Sequence, residues 1–139
     1  MALVLPILML IILGIFKFGI LFNNYLQLTD AARSGARQLA VERGQATPCD
    51  DATRELANAS SALGGTITVT ITESGDASTY TNTAIGGNVG TPTQGSACPT
   101  LVSGSSAHVN ATYPCDLKIF DINVAPSCTL STTVTERVE

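Results

Sequence analysis

The chain lacks most of what catalysis needs. Of its 139 residues none is tryptophan and only one, His108, is histidine. A lone histidine with no nucleophile in a recognisable setting argues against a Ser- or Cys-based triad. HExxH, P-loop, GxGxxG and nucleophile-elbow patterns are all missing, which removes the common metalloprotease, nucleotide and hydrolase chemistries. The four cysteines, Cys49, Cys98, Cys115 and Cys128, form no CxxC pair, so zinc is poorly supported. Asp116 and Asp121 do not have EF-hand spacing. Asp50-Asp51 reads as helix-end electrostatics rather than as a catalytic carboxylate pair. We therefore expect no enzyme, no cofactor and no metal site. Basic residues are scarce as well. Residues 45–139 hold three of them against nine acidic ones, a net charge of −6, and this excludes a nucleic-acid partner.

Charge is almost missing from the start of the chain, and there the absence is informative. From Leu3 to Phe22, fifteen of twenty residues are Leu, Ile, Val or Phe. Twenty helical residues span about 30 Å, the hydrocarbon thickness of a bilayer. At roughly −0.5 kcal/mol each, the fifteen contribute about −7 kcal/mol to insertion. Lys17, the single charge, costs at most about +3 kcal/mol and can snorkel. A membrane helix is expected. Pro6 sits in its first turns, where a missing N–H is cheap. A cleavable secretory signal would have a basic n-region, a shorter core and a small-x-small site, none of which is present here.

The helix is expected to run on to Gly44, giving a first domain of residues 1–44. Leu28, Ala32, Gly35, Ala36 and Leu39 recur at three- and four-residue steps as a narrow stripe. With Gly14 and Gly19, this stripe is expected to let neighbouring helices approach closely. Arg33 and Arg37 share a face. They read either as solvated or phosphate-facing groups or, with Lys17, as charges paired to acidic groups on neighbouring subunits. Arg33, Arg37 and Arg43 would pull this flank into the cytoplasm by the positive-inside rule, whereas the cysteines favour an oxidising compartment. We give the cysteines more weight. Of three possible pairings we favour Cys49–Cys98 and Cys115–Cys128, worth roughly 4 and 3 kcal/mol on a chain-entropy scale.

Residues 45–139 read as a second, extracytoplasmic α+β domain. Thr47-Pro48 starts a helix that should run to about Leu63, with Ala52, Leu56, Ala59 and Leu63 on one face. The run Thr66 to Thr72 alternates strictly, Ile67, Val69 and Ile71 against threonines, and predicts a strand. Residues 78–85 are expected as a polar edge strand, 86–100 as an exposed loop, 106–113 as a strand, 117–120 as a short apolar piece and 129–138 as a last strand with Leu130, Val134 and Val138 inward. The sum is an antiparallel sheet of three or four strands with helices on one face. His108 falls on the polar face. Asn58-Ala59-Ser60 and Asn110-Ala111-Thr112 are glycosylation sequons.

The segment ALVLPILMLIILGIFKFG, followed by NNYLQLTDAARSGARQLAV, resembles the opening of the TadE-like pseudopilins of the tight-adherence, type IV pilus-like system. Val109-Asn110-Ala111-Thr112-Tyr113-Pro114 and the closing LSTTVTERVE are similar to that family too. The resemblance implies a pilin-like fold. It also implies a subunit held in the cytoplasmic membrane by its first helix, trimmed by a prepilin peptidase and extracted by assembly machinery into an extracellular, homopolymeric filament. Two departures stand out. The family's basic leader and upstream glutamate are not in this sequence, so Met1 is expected to be a mature, truncated or misassigned start. Lys17 stands where the family often has an acidic residue. A filament subunit is thus the expected function. The alternatives are a membrane-tethered binding head acting as a monomer and a minor pseudopilin that primes a pilus.

Overall fold

A computed structural model of the chain describes residues 4–92, 97–115 and 125–139, together with the backbone of 118–119 and 122–123. Helix α1 (Val4–Val41) is 38 residues long, which corresponds to about 57 Å. It stops where expected, because Gly44 takes φ +86°, a conformation that disfavours any residue with a Cβ. Helix α2 (Pro48–Ala59) starts on Pro48, with Asp50 and Asp51 in its first turn. The Thr47 hydroxyl donates to Asp51 Oδ2 at 3.1 Å, and the Asp51 N–H donates to the Thr47 carbonyl. α2 ends four residues before the expected Leu63, in a turn where the Leu63 N–H bonds the Ser60 carbonyl. Leu63 is still buried, but Ala59 is exposed, and Cys49 and Thr53 complete the inner face in its place.

The strands are β1 (Thr66–Glu73), β2 (Thr79–Ile85), β3 (Asn88–Val89), β4 (Ser106–Pro114), β5 (Lys118–Ile119), β6 (Ile122–Asn123) and β7 (Thr129–Arg137). Five of them form one antiparallel sheet in the order β3-β2-β1-β4-β7, while β5 and β6 pair separately. The architecture is α+β and pilin-like: a long apolar helix, a short helix and an antiparallel sheet. The sheet is wider than the three or four strands expected. The difference lies in residues 78–92. β2 is not the edge, because β3 folds back on it, with Ala84 opposite Val89. The segment expected as an exposed loop from 86 to 100 therefore contributes a strand, and it also brings Pro99 into a buried position. The expected apolar piece at 117–120 falls partly outside the described residues.

Period-two alternation explains which face is buried. Ile67, Val69 and Ile71 of β1, Tyr80, Asn82 and Ala84 of β2, and Ala107, Val109 and Ala111 of β4 all point inward and are buried. Leu130, Thr132 and Val134 of β7, and Val138 just past its end, take the same side, Thr132 and Val138 buried and the other two half-buried. The outer face is threonine-, serine- and asparagine-rich, as the alternation requires. α1 lies over β4 and β7, and α2 over β2 and β3.

Candidate assembly surface

α1 consists of two halves with opposite surroundings. Leu28, Ala31, Ala32, Gly35, Ala36, Leu39 and Ala40 are buried. Most of them join Leu56, Ile67, Val69, Val109 and Val138 in a single core. A Cβ placed on Gly35 would sit 3.0 Å from the Ala52 carbonyl oxygen and 3.1 Å from Leu56 Cβ. The stripe Leu28, Ala32, Gly35, Ala36 and Leu39 is thus a helix-packing stripe, but it packs on the chain's own α2 and sheet. This corrects the expectation that it receives neighbouring subunits. The physical reason is amphipathicity: α2 and the sheet each present an apolar face, and the lower half of α1 covers both.

The upper half has no such cover. Thirteen large apolar side chains between Val4 and Phe22 are exposed, with Phe16, Phe18 and Phe22 at 67, 69 and 66%. Gly14 and Gly19 have nothing within 4 Å of where a Cβ would stand, so neither is used inside the chain. Leaving these thirteen side chains in water would cost roughly 20–40 kcal/mol at about 1.5–3 kcal/mol each. This helix is long and apolar enough to cross a membrane.

The charges mark the edges of that surface. β7 runs beside α1 in the same direction, so that the Glu139 N–H reaches the Ala40 carbonyl at 3.2 Å. At the other end, Tyr113, Pro114 and Cys115 flank Lys17, Leu21 and Asn24 around a cavity of about 140 Å³. Lys17 is therefore half-buried against the corner of the head nearest the exposed run. Arg33 pairs with Asp30 at 3.4 Å on an open surface, worth little in itself. Arg37 is exposed and makes no ion pair among the described residues.

The head that carries this helix is stapled twice. Cys49 and Cys98 form one disulfide, with Cα atoms 5.8 Å apart, and Cys115 and Cys128 form the other, with Cα atoms 5.2 Å apart. The first ties the start of α2 to the segment before β4. The second closes the corner beside Lys17. A buried polar cluster that sequence reading did not find joins α2 to β2. The Tyr80 hydroxyl donates to Asp50 Oδ1 and accepts from Asn82 Nδ2 at 2.7 Å. Burial and the Asp50 carboxylate together push the Tyr80 phenol up to about 12. Asp50 thus has a specific structural partner besides the helix end. His108 lies on the outer face as expected, between Ser74 at 3.1 Å and Thr135 at 2.7 Å.

A rigid α+β head with one projecting apolar helix defines a pilin-like class of protein. The comparison with family models agrees: residues 1–37 match the family described as TadE-like protein. That match stops inside α1, so the head is read from its own structure. No curated protein matches the chain, and no solved structure does.

Proposed function

We propose that this protein is a structural subunit of an extracellular, pilus-like filament and polymerises through the upper half of α1. The observation that carries this reading is the contrast within one helix. Residues 28–40 are locked into the head, whereas Val4 to Phe22 project with nearly every large side chain exposed. Lipid covers that surface before assembly, and the same segment of neighbouring copies covers it afterwards. In such a polymer one patch meets a different patch on the next copy, an open-ended arrangement that grows into a fibre. The match of residues 1–37 to TadE-like proteins supports placement in a pilus system. On this reading the partners are further copies of the chain, the membrane, a prepilin peptidase and the assembly machinery. The role is structural and not catalytic. The threonine-rich sheet face forms the outer shell.

Electron microscopy of sheared surface material tests the proposal. Filaments labelled by antibody to the head are expected. Recovery of the protein only as a detergent-soluble monomer that keeps its activity without residues 4–22 would favour the tethered-head alternative instead.

A further inference from the structure

One cation in the apolar half of α1 has no counterpart in the head. Lys17 makes no ion pair and no hydrogen bond among the described residues. Its chain neighbours Phe16 and Phe18 are exposed, whereas Lys17 is half-buried, so its stem lies on the side of the helix that meets the head. Lys17, Leu21 and Asn24 follow the i, i+4, i+7 spacing of a single helix face. With Tyr113, Pro114 and Cys115 they line the cavity of about 140 Å³ at the corner of the head. That is the volume of about four or five waters, enough for a phosphate group. Asn24 and Tyr113, both half-buried, also leave their side-chain polar groups without hydrogen bonds among the described residues. No described residue lining the cavity is acidic.

The height of this corner on the helix names its occupant. On the side away from the head the apolar surface continues past Lys17 through Phe18 to Phe22, about 8 Å further. On the head side it stops at Lys17, where Pro114 and Cys115 come alongside. Acyl chains can follow the first side to Phe22, so the polar surface of the bilayer has to dip on the second side to reach the lysine. A lipid headgroup drawn down to that level meets an ammonium, an amide and a phenol, all of which can donate to a phosphodiester oxygen. Its negative charge also compensates a lysine that is otherwise unpaired in an apolar run. A zwitterionic headgroup brings its own ammonium, which competes with Lys17 for the phosphate. An anionic one does not.

We propose that the corner formed by Lys17, Asn24 and Tyr113 binds the phosphate of an anionic phospholipid and seats the head of the unassembled subunit on the bilayer surface. This rests on the membrane-held stage of the function proposed above and not on polymerisation.

The test titrates the full chain, in micelles of a neutral detergent, with phosphatidylglycerol, phosphatidylcholine or inorganic phosphate, and reads bound ligand by native mass spectrometry. One phosphatidylglycerol retained per chain is expected, with phosphatidylcholine held roughly tenfold more weakly and inorganic phosphate not held at the same concentration. Lys17→Gln should weaken phosphatidylglycerol binding by roughly tenfold or more, and Lys17→Arg should keep it. Asn24→Asp, which puts a carboxylate into the corner, should weaken it as well. Should Lys17→Gln lose its native circular dichroism, Asn24→Asp decides the matter by itself. Equal retention of the two lipids, wild-type binding by the folded Lys17→Gln or Asn24→Asp variant, or capture of free phosphate as readily as lipid would each overturn the site. A Lys17→Gln chain that binds lipid normally but forms no filaments in cells would overturn it too, giving the corner to an acidic group of a neighbouring copy. Lipid retention and filament yield are read separately, so failure of the lipid site leaves polymerisation standing.

Discussion

Gly35 and Gly19 belong to the same helix and do different work. Gly35 lets Ala52 and Leu56 of α2 approach within about van der Waals distance, and any side chain there must push backbone aside. Gly35→Leu is expected to destabilise the head by about 1–3 kcal/mol or more. In a domain of this size that corresponds to a fall in melting temperature of about 4–8 °C per kcal/mol. Gly19→Leu should leave the melting temperature unchanged and reduce filament yield. Differential scanning calorimetry of the detergent-solubilised variants separates the two; equal melting of wild type and Gly35→Leu would contradict the packing described. Tyr80 makes a second prediction. Its phenol titrates near 12 in the folded head and near 10 when unfolded. A raised pKa means that the contribution is complete below pH 10 and is lost as pH climbs from about 10 to 12. Tyr80→Phe should remove that alkaline loss, and at neutral pH it should cost about 1–3 kcal/mol because the Asp50 carboxylate loses a buried donor. An unchanged alkaline limb in the variant's pH–stability curve would assign the loss to another group. None of this network was legible beforehand. Asn82 and Tyr80 alternate correctly, but in sequence a buried asparagine on a threonine-rich strand looks like an edge strand.

At the scale of elements, the two halves of α1 were legible as composition but not as roles. The apolar run, the stop at Gly44 and the stripe from Leu28 to Leu39 could all be read from spacing. Which partner the stripe meets could not, because spacing says that a face is buried and not what buries it. The same limit explains β2 and β3: periodicity found a strand at 78–85, while a two-residue strand such as Asn88–Val89 gives no period at all. β1 was found because four threonines alternate with three branched apolar residues without a break. The division of α1 leads to a truncation experiment. A chain of residues 23–139 should be soluble and folded, since it keeps every buried residue of α1. A chain of residues 45–139 should not fold, because it loses Leu28 and Leu39, each worth about 2–5 kcal/mol even as an alanine substitution. Near-ultraviolet circular dichroism and proton NMR dispersion of both fragments test this; a well-folded 45–139 fragment would show that the helix is not part of the core.

In the whole molecule a stapled head carries an uncovered helix. The loops closed by Cys49–Cys98 and Cys115–Cys128 span 49 and 13 residues in sequence, so reduction should cost roughly 4 and 3 kcal/mol respectively on the chain-entropy scale. A head weakened by that much should melt well below the oxidised form, and equal melting with and without reductant would remove the staples from the account. The placement of Lys17 also follows from the whole molecule. The corner around Tyr113 and Cys115 sits beside it, so the charge falls within the exposed run but on the side of the helix that meets the head.

The central claim is that the exposed half of α1 joins copies of this chain to one another while the outer sheet face stays free. Site-specific photo-crosslinking in cells measures this directly, with the probe placed at Phe16 in one variant and at Thr133 in another. The account expects ladders of covalent multimers in the sheared, pelleted surface fraction from the Phe16 probe, and none from Thr133. Monomer alone at Phe16, with the protein still in the detergent-soluble membrane fraction, would contradict it.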